Sequence, residues 1–138
     1  MLRVRDLMSG APETVSPGAN LRDVLLKMNR QGFRHLPVVE NGRLVGIVTD
    51  RDVRLAIDSP VVEDDAPFTR EEALEGVQVF DCMTPDPQCV TADMPLYEAA
   101  DLLSLNKFGA MPVVDDGKLV GMLSTVDFLK HYAAQRQS

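Results

Sequence analysis

The stretch that decides the fold is FRHLPVVENGRLVGIVTDRD, residues 33–52. A second stretch, FGAMPVVDDGKLVGMLSTVD, residues 108–127, matches it 75 positions further along the chain. The match extends without a gap from Val4 to Arg54, so the chain consists of two copies of one repeat and a linker. A single repeat is too small to bury its helices and its sheet, which predicts that the two repeats fold together.

Each repeat predicts the element order β-α-β-β-α. The first strands are expected at residues 14–16 and 89–91. The first helices are expected from Leu21 and from Leu96, because apolar residues then recur at i+3, i+4 and i+7. Two strands around a hairpin turn follow, and the turn signals are Asn41-Gly42 and Asp116-Gly117. The fold class is therefore α/β (α+β), with two β-α-β-β-α repeats packed with pseudo-twofold symmetry.

The helix ends carry signals of their own. Gly32 and Gly109 lie near the ends of the first helices, where glycine readily adopts a left-handed conformation. The second helices are expected to begin after Thr49 and Ser124, because Ser/Thr-x-x-Asp is close to a capping box.

The domain organisation follows from the repeat and from the charge. Residues 1–56 form the first repeat, residues 57–76 an acidic linker and residues 77–138 the second repeat. Residues 55–76 carry one Lys or Arg against seven Asp or Glu, a net charge of −6. A further short helix is expected to begin near Thr69. Residues 1–54 carry nine basic against six acidic side chains, a net charge of +3 that needs a functional reason.

Composition excludes several classes of function. The net charge of −7 argues against nucleic acid as a partner, because binding phosphate backbones requires clustered Lys and Arg. No apolar run approaches the roughly 18 residues of a membrane span, and the first ten residues lack the apolar core of a signal peptide. A cytoplasmic location is therefore expected. Cys82 and Cys89 are expected to be ordinary free thiols, and no metal site is predicted.

Catalysis is not expected. The two histidines, His35 and His131, form no recognisable pair with a nucleophile, and no P-loop motif occurs. A nucleotide hydrolase would also need a metal-binding or water-positioning group, for which the sequence offers no candidate. The protein is therefore predicted not to be an enzyme and to require no cofactor.

Residues 33–52 and 108–127 resemble the core of the cystathionine β-synthase (CBS) domain. The pattern Val-x-Asp-x-Met at residues 4–8 and 79–83 is similar to the segment that often precedes such domains. The resemblance implies a standalone CBS pair, or Bateman module, that regulates an unidentified effector protein. It also implies that clefts between the repeats bind AMP, ADP, ATP or S-adenosylmethionine, and that the terminal helices form a homodimer.

The resemblance also implies which residues contact the ligand. Asp52, the last residue of Gly46-Ile-Val-Thr-Asp-Arg-Asp, would accept hydrogen bonds from ribose hydroxyls, and Thr49 would donate to ribose or phosphate. The alternative is that both residues are plain helix caps, and the two roles are compatible. Basic side chains would contact phosphate, and apolar residues that could also be simple core would line the adenine slot. The full set is Asp52, Thr49, Arg51, Arg34, His35, Pro37, Val15, Asp127 and Ser124.

The second repeat departs from this pattern. Gly109, Ala110 and Val126 stand where the first repeat has Arg34, His35 and Arg51. Two unequal clefts are therefore expected: one for a phosphorylated ligand, the other empty, weak or selective for an uncharged adenosine moiety. The alternative function is a structural CBS pair that mediates dimerisation or interaction and binds no ligand.

Overall fold

A computed structural model of the chain describes residues 1–58 and 70–136, apart from the side chain of Glu71. The acidic residues at the centre of the linker, together with Thr69, fall outside these ranges. The elements in chain order are α1 (Val4–Leu7), β1 (Ser9–Gly10), α2 (Leu21–Gln31), β2 (His35–Glu40), β3 (Arg43–Thr49), α3 (Asp50–Ile57), α4 (Arg70–Ala73), a 3₁₀ turn (Leu74–Gly76), α5 (Val79–Cys82), β4 (Thr84–Pro85), α6 (Leu96–Asn106), β5 (Ala110–Asp115), β6 (Lys118–Ser124) and α7 (Thr125–Gln135). The short helix expected at the end of the linker is thus confirmed as α4.

The chain divides into two compact units that do not coincide with the two sequence repeats. The first-repeat unit is Glu13–Asp86, and the second-repeat unit is Met1–Pro12 together with Pro87–Ser138. Each repeat's opening segment, containing α1 or α5, therefore belongs to the unit built mainly from the other repeat.

The first-repeat unit is a β-hairpin with helices packed on one face. β2 and β3 pair antiparallel from His35↔Thr49 to Glu40↔Arg43, and the two-residue β4 pairs with the other side of β3. The expected turn forms at Asn41-Gly42, with φ of 53° and 80°. Alternate strand residues face the helices, and the buried core comprises Leu21, Val24, Met28, Leu36, Val38, Val48, Val53, Leu74 and Val79.

The second-repeat unit reproduces this arrangement. β5 and β6 pair from Ala110↔Ser124 to Asp115↔Lys118, and β1 pairs with β6. Asp116-Gly117 forms the matching turn, with φ of 54° and 78°. The buried core comprises Val4, Val90, Leu96, Ala99, Leu103, Met111, Val113 and Leu123.

The expected first strands are reduced to single bridges. Val15 pairs in parallel with Val38, and Val90 with Val113, and neither pairing extends to a neighbouring residue. The chain turns immediately afterwards: the Ala19 N–H donates to the Ser16 carbonyl at 3.1 Å, and the Met94 N–H to the Thr91 carbonyl at 3.2 Å. These turns leave no room for a longer strand.

The two first helices end at equivalent positions, not at equivalent residue types. Gly32 adopts the expected left-handed conformation after α2, with φ of 77°. The same expectation for Gly109 is wrong, because Lys107 caps α6 with φ of 57°. Lys107 is the 75-residue counterpart of Gly32, so the backbone path is conserved although the side chain costs more there.

The opening segments are fastened by the same hydrogen bonds in both units. The Val4 N–H donates to the Met94 carbonyl at 3.0 Å, and the Val79 N–H donates to the Ala19 carbonyl at 2.8 Å. Val4 and Val79 are both fully buried. Each opening segment therefore contributes backbone pairing and one core side chain to its unit.

Gly46 and Gly121 allow these segments to cross the hairpins closely. A Cβ on Gly46 would lie 2.5 Å from Met83 Sδ and 2.9 Å from the Thr84 carbonyl oxygen. A Cβ on Gly121 would lie 2.7 Å from the Ser9 carbonyl oxygen. The glycine of the Gly-x-x-Ser/Thr motif is thus required by the strand that passes over it.

Candidate functional site

The junction between β3 and α3 is built around a reciprocal cap. Asp52 Oδ2 accepts hydrogen bonds from the Thr49 N–H at 2.8 Å and from the Thr49 hydroxyl at 3.1 Å. The Asp52 N–H donates to Thr49 Oγ1 at 3.3 Å. The expected capping box is therefore confirmed, and it holds both side chains at the start of the helix.

Only one oxygen of the Asp52 carboxylate is used by the cap. Among the described residues, Asp52 Oδ1 accepts no hydrogen bond, while the residue is half-buried. A carboxylate anchored through one oxygen presents the other in a fixed direction, without further loss of side-chain freedom. Asp52 can thus cap the helix and accept hydrogen bonds from a hydroxylated ligand at the same time.

His35 and Arg34 lie beside this cap. His35 is directly opposite Thr49 in the antiparallel ladder, and the Asp50 N–H donates to the Arg34 carbonyl at 3.0 Å. Burial lowers the pKa of His35 below its usual 6.5; Asp50 and Asp52 act in the opposite direction, and Arg34 adds to the lowering. The imidazole is therefore held mainly neutral at pH 7 in the ligand-free chain.

The two arginines proposed to contact phosphate are exposed. Within the described ranges, neither Arg34 nor Arg51 forms an ion pair, whereas the neighbouring Arg54 lies 3.7 Å from Asp50. Arg51 is the second residue of α3, and the Arg34 backbone adjoins the start of this helix, because its carbonyl accepts from the Asp50 N–H. The helix dipole also favours an anion there. The structure thus brings two available positive charges to the same junction.

Val15 and Pro37 adjoin each other through the backbone. The Val15 N–H donates to the Pro37 carbonyl at 3.1 Å, and the Val39 N–H donates to the Val15 carbonyl at 2.9 Å. Val15 is half-buried and packs against the core of the first-repeat unit. Its role in the core is therefore established, while a contact with adenine stays a prediction.

The second-repeat unit carries the same cap without the positive charges. Asp127 Oδ2 accepts from the Ser124 N–H at 2.8 Å, and the Asp127 N–H donates to Ser124 Oγ at 3.3 Å. Ala110 pairs with Ser124 in the ladder, as His35 does with Thr49. The two junctions share a backbone and differ in charge.

Cys82 is a neighbour of Asp52 that the sequence did not reveal. Burial raises the pKa of the Cys82 thiol, and the nearby carboxylates of Asp52 and Asp81 raise it further. Cys82 ends α5, so it reaches this junction because residues 77–86 complete the first-repeat unit. No sequence pattern places Cys82 beside Asp52, because only the fold shows which unit residues 77–86 complete.

Over residues 1–58 and 70–136, no three His, Cys, Asp or Glu side chains are grouped closely enough to hold a metal ion. In the same part of the chain, no helix has the length and apolar character required to cross a bilayer. Both cysteines are free thiols.

Comparison with known proteins identifies several relatives. A CBS domain-containing protein of Dictyostelium discoideum is 37% identical over 131 residues, which cover 91% of this chain and 88% of that protein. The inosine-5′-monophosphate dehydrogenase of Methanocaldococcus jannaschii is 34% identical over 119 residues, which cover 85% of this chain but 21% of that enzyme. In the enzyme, the matched region is therefore a small part of a longer protein.

A solved structure matches the whole chain. CBSX2 of Arabidopsis thaliana in complex with AMP superposes with a TM-score of 0.79, 31% identity and complete coverage of both chains. The CBS domain family model matches twice, at residues 4–59 and 79–134. The mixed fold of helices and antiparallel hairpins in two repeats is the fold of these CBS pairs. The chain therefore belongs to the CBS domain family and contains two CBS domains.

Proposed function

We propose that this chain is a regulatory module that binds an adenosine nucleotide at the β3–α3 junction of the first-repeat unit. The observation that carries the proposal is the half-buried Asp52, whose Oδ1 has no hydrogen-bond partner among the described residues. AMP is the first candidate, because CBSX2 is 31% identical over its whole length and its structure contains AMP.

The proposed contacts follow the chemistry of the ligand. Ribose hydroxyls donate to Asp52 Oδ1, and a bidentate guanidinium from Arg34 or Arg51 suits the phosphate oxygens. The Thr49 hydroxyl donates its proton to Asp52 Oδ2 within the cap, and its remaining lone pair can accept from a ribose hydroxyl. Val15 and Pro37 provide an apolar surface for adenine. ADP, ATP and S-adenosylmethionine belong to the same class of adenosine ligands and test how much phosphate the site accepts.

The second-repeat junction is proposed to be weaker for phosphorylated ligands. Ser124 and Asp127 retain the cap, but no basic side chain replaces His35. The affinity for an uncharged adenosine moiety should be reduced less at this junction than the affinity for AMP. The module is proposed to act on an effector protein without catalysing a reaction itself.

Isothermal titration with AMP and the other adenosine ligands tests the proposal, with Asp52→Asn compared with the matched Asp127→Asn. Asn keeps a side-chain oxygen for the cap but replaces the free carboxylate oxygen by an NH₂ donor. We expect Asp52→Asn to weaken AMP binding at least about tenfold, which is 1.4 kcal/mol. Asp127→Asn should change it less. Equal affinities in both variants, or no binding by the native chain, would contradict the proposal.

A second candidate, an interaction module without ligand, is favoured by α7. None of its residues is buried, and Val126, Leu129 and Tyr132 are exposed by 50%, 67% and 77%. We propose that this helix takes part in a homodimer. Light scattering should give twice the chain mass for the native protein and the single mass for Leu129→Asp. A native monomer would contradict the dimer, and dimers that bind no adenosine ligand would support the second candidate alone.

A further inference from the structure

His35 is the titratable side chain at the first-repeat junction whose usual pKa lies near neutral pH. It is half-buried, and its ladder partner is Thr49, the N-cap of α3. The charged groups that act on it are Asp50 and Asp52 from α3 and Arg34 from its own segment. Cys82 of α5 adjoins the same carboxylate, Asp52. The imidazole is thus influenced by charged groups of both signs.

The ligand-free balance at His35 is set by burial. Burial is the largest influence, and together with Arg34 it lowers the pKa of His35 more than the two carboxylates raise it. The site therefore contains an imidazole that is mainly neutral at pH 7 in the ligand-free chain. A phosphate dianion placed near it would favour the imidazolium, because an opposite charge within about 4–6 Å stabilises the charged form.

We propose that His35 takes up a proton when a phosphorylated ligand binds, and that this uptake makes the site select nucleotides over uncharged nucleosides. The inference rests on the proposed function, because it requires a phosphate at this junction. The two arginines attract any anion at every pH, whereas His35 adds a positive charge only when a phosphate compensates for its burial. The contribution of His35 to AMP affinity should therefore rise as the pH falls, and its contribution to adenosine affinity should not.

The second-repeat junction provides an internal contrast. Ala110 occupies the position of His35 and faces Ser124 across the ladder. No proton can be taken up by that side chain. The proposed selectivity is therefore a property of the first-repeat unit.

Titration calorimetry in buffers of different ionisation enthalpy measures the uptake directly. AMP and adenosine are titrated into the native chain, His35→Gln and His131→Gln between pH 6 and 8. His131 is the matched control, since it lies on α7 and hydrogen-bonds with Gln135. The second pKa of a phosphate is about 6, so binding beside cations releases a proton from AMP itself at low pH. This release from AMP is opposite in sign to the uptake by His35, and it occurs with all three proteins, so it cancels when they are compared.

We expect the native chain and His131→Gln to take up a fraction of a proton with AMP, relative to His35→Gln. One linked proton limits the gain in AMP affinity to about tenfold per pH unit. His35→Gln should bind AMP more weakly than the native chain at pH 6, and the ratio of the two affinities should fall towards one as the pH rises to 8. NMR titration of the His35 imidazole in the native chain, assigned with His131→Gln, gives the same answer without the His35 variant. Its pKa should be higher in the AMP complex.

The outcomes separate the two proposals. AMP binding with the same proton balance in native and His35→Gln proteins, or an unchanged His35 pKa in the complex, overturns this inference and leaves the proposed function standing. Equal proton uptake with adenosine and AMP also overturns it. The absence of binding by either ligand overturns both.

Discussion

Gly46 is a residue at which the surroundings leave no room for a side chain. A Cβ there would lie 2.5 Å from Met83 Sδ and 2.9 Å from a backbone oxygen, so β4 would have to move. We expect Gly46→Ala to reduce the free energy of unfolding by about 1–3 kcal/mol, measured by urea denaturation. Gly18 is the control, because nothing lies within 4 Å of an added Cβ. Equal stabilities of the two variants would contradict the close crossing.

His35 also makes stability depend on pH in the ligand-free chain. Its folded pKa is below the unfolded 6.5, so the unfolded state binds more protons in the interval between the two values. Stability from this residue is therefore complete above pH 6.5 and is lost as the pH falls through that interval. Denaturation of native and His35→Gln proteins between pH 7.5 and 5.5 should give a steeper loss for the native protein. Parallel curves would show that His35 does not contribute.

At the scale of the element, the two caps can be compared as a matched pair. Thr49→Ala and Ser124→Ala each remove a side chain that caps a helix with the same backbone geometry. Each should cost about 1 kcal/mol in chemical denaturation. Thr49→Ala should also weaken AMP binding, while Ser124→Ala should not. Equal AMP affinities in the two variants would assign Thr49 to capping alone.

Most elements of the repeats could be predicted from local sequence. The helices from Leu21 and Leu96 and both hairpin turns are confirmed, because periodicity and Asn/Asp-Gly turns act through near neighbours. The predicted first strands are longer than those in the structure. A turn follows Val15 and Val90 directly, and whether the chain extends or turns there depends on tertiary pairing. Lys107 was missed as a cap, since its left-handed conformation is imposed by the path of the chain and not by its own preference.

In the candidate site, too, the sequence predicts the local contacts and not the tertiary ones. Thr49 and Asp52 are three residues apart, so their contact is local and the sequence indicates it. The ladder pairing of His35 with Thr49 follows from the hairpin register. Cys82 and Asp52 are 30 positions apart and come near enough to interact electrostatically only through tertiary folding, so no local pattern indicates it.

At the scale of the whole molecule, each opening segment completes the unit of the other repeat, and we call this arrangement the exchange. It predicts which unit loses stability when an opening segment is mutated. Val4 is fully buried in the second-repeat unit, although it belongs to the first repeat. Val4→Ala should cost about 2 kcal/mol and should reduce hydrogen-exchange protection mainly in β5, β6 and α6. Val79→Ala should do the same mainly in β2, β3 and α2. The reverse distribution of protection would contradict the exchange.

The exchange itself could not be predicted from the repeat. Val4 and Val79 are the same residue in the same motif, so either could complete either core on the basis of sequence alone. The choice is made by chain connectivity and by hydrogen bonds such as those of Val4 with Met94 and of Val79 with Ala19. These are long-range contacts that a pattern repeated twice leaves ambiguous.

This exchange bears on how such a chain could arise. A solitary ancestor of one repeat would hold its opening segment away from its own core, because in both present units that segment comes from the other repeat. Its core could be completed only in a dimer, in which each polypeptide inserts its opening segment into the core of the other. Duplication and fusion of the gene would then place both repeats on one chain. The assembly would thereby become independent of protein concentration.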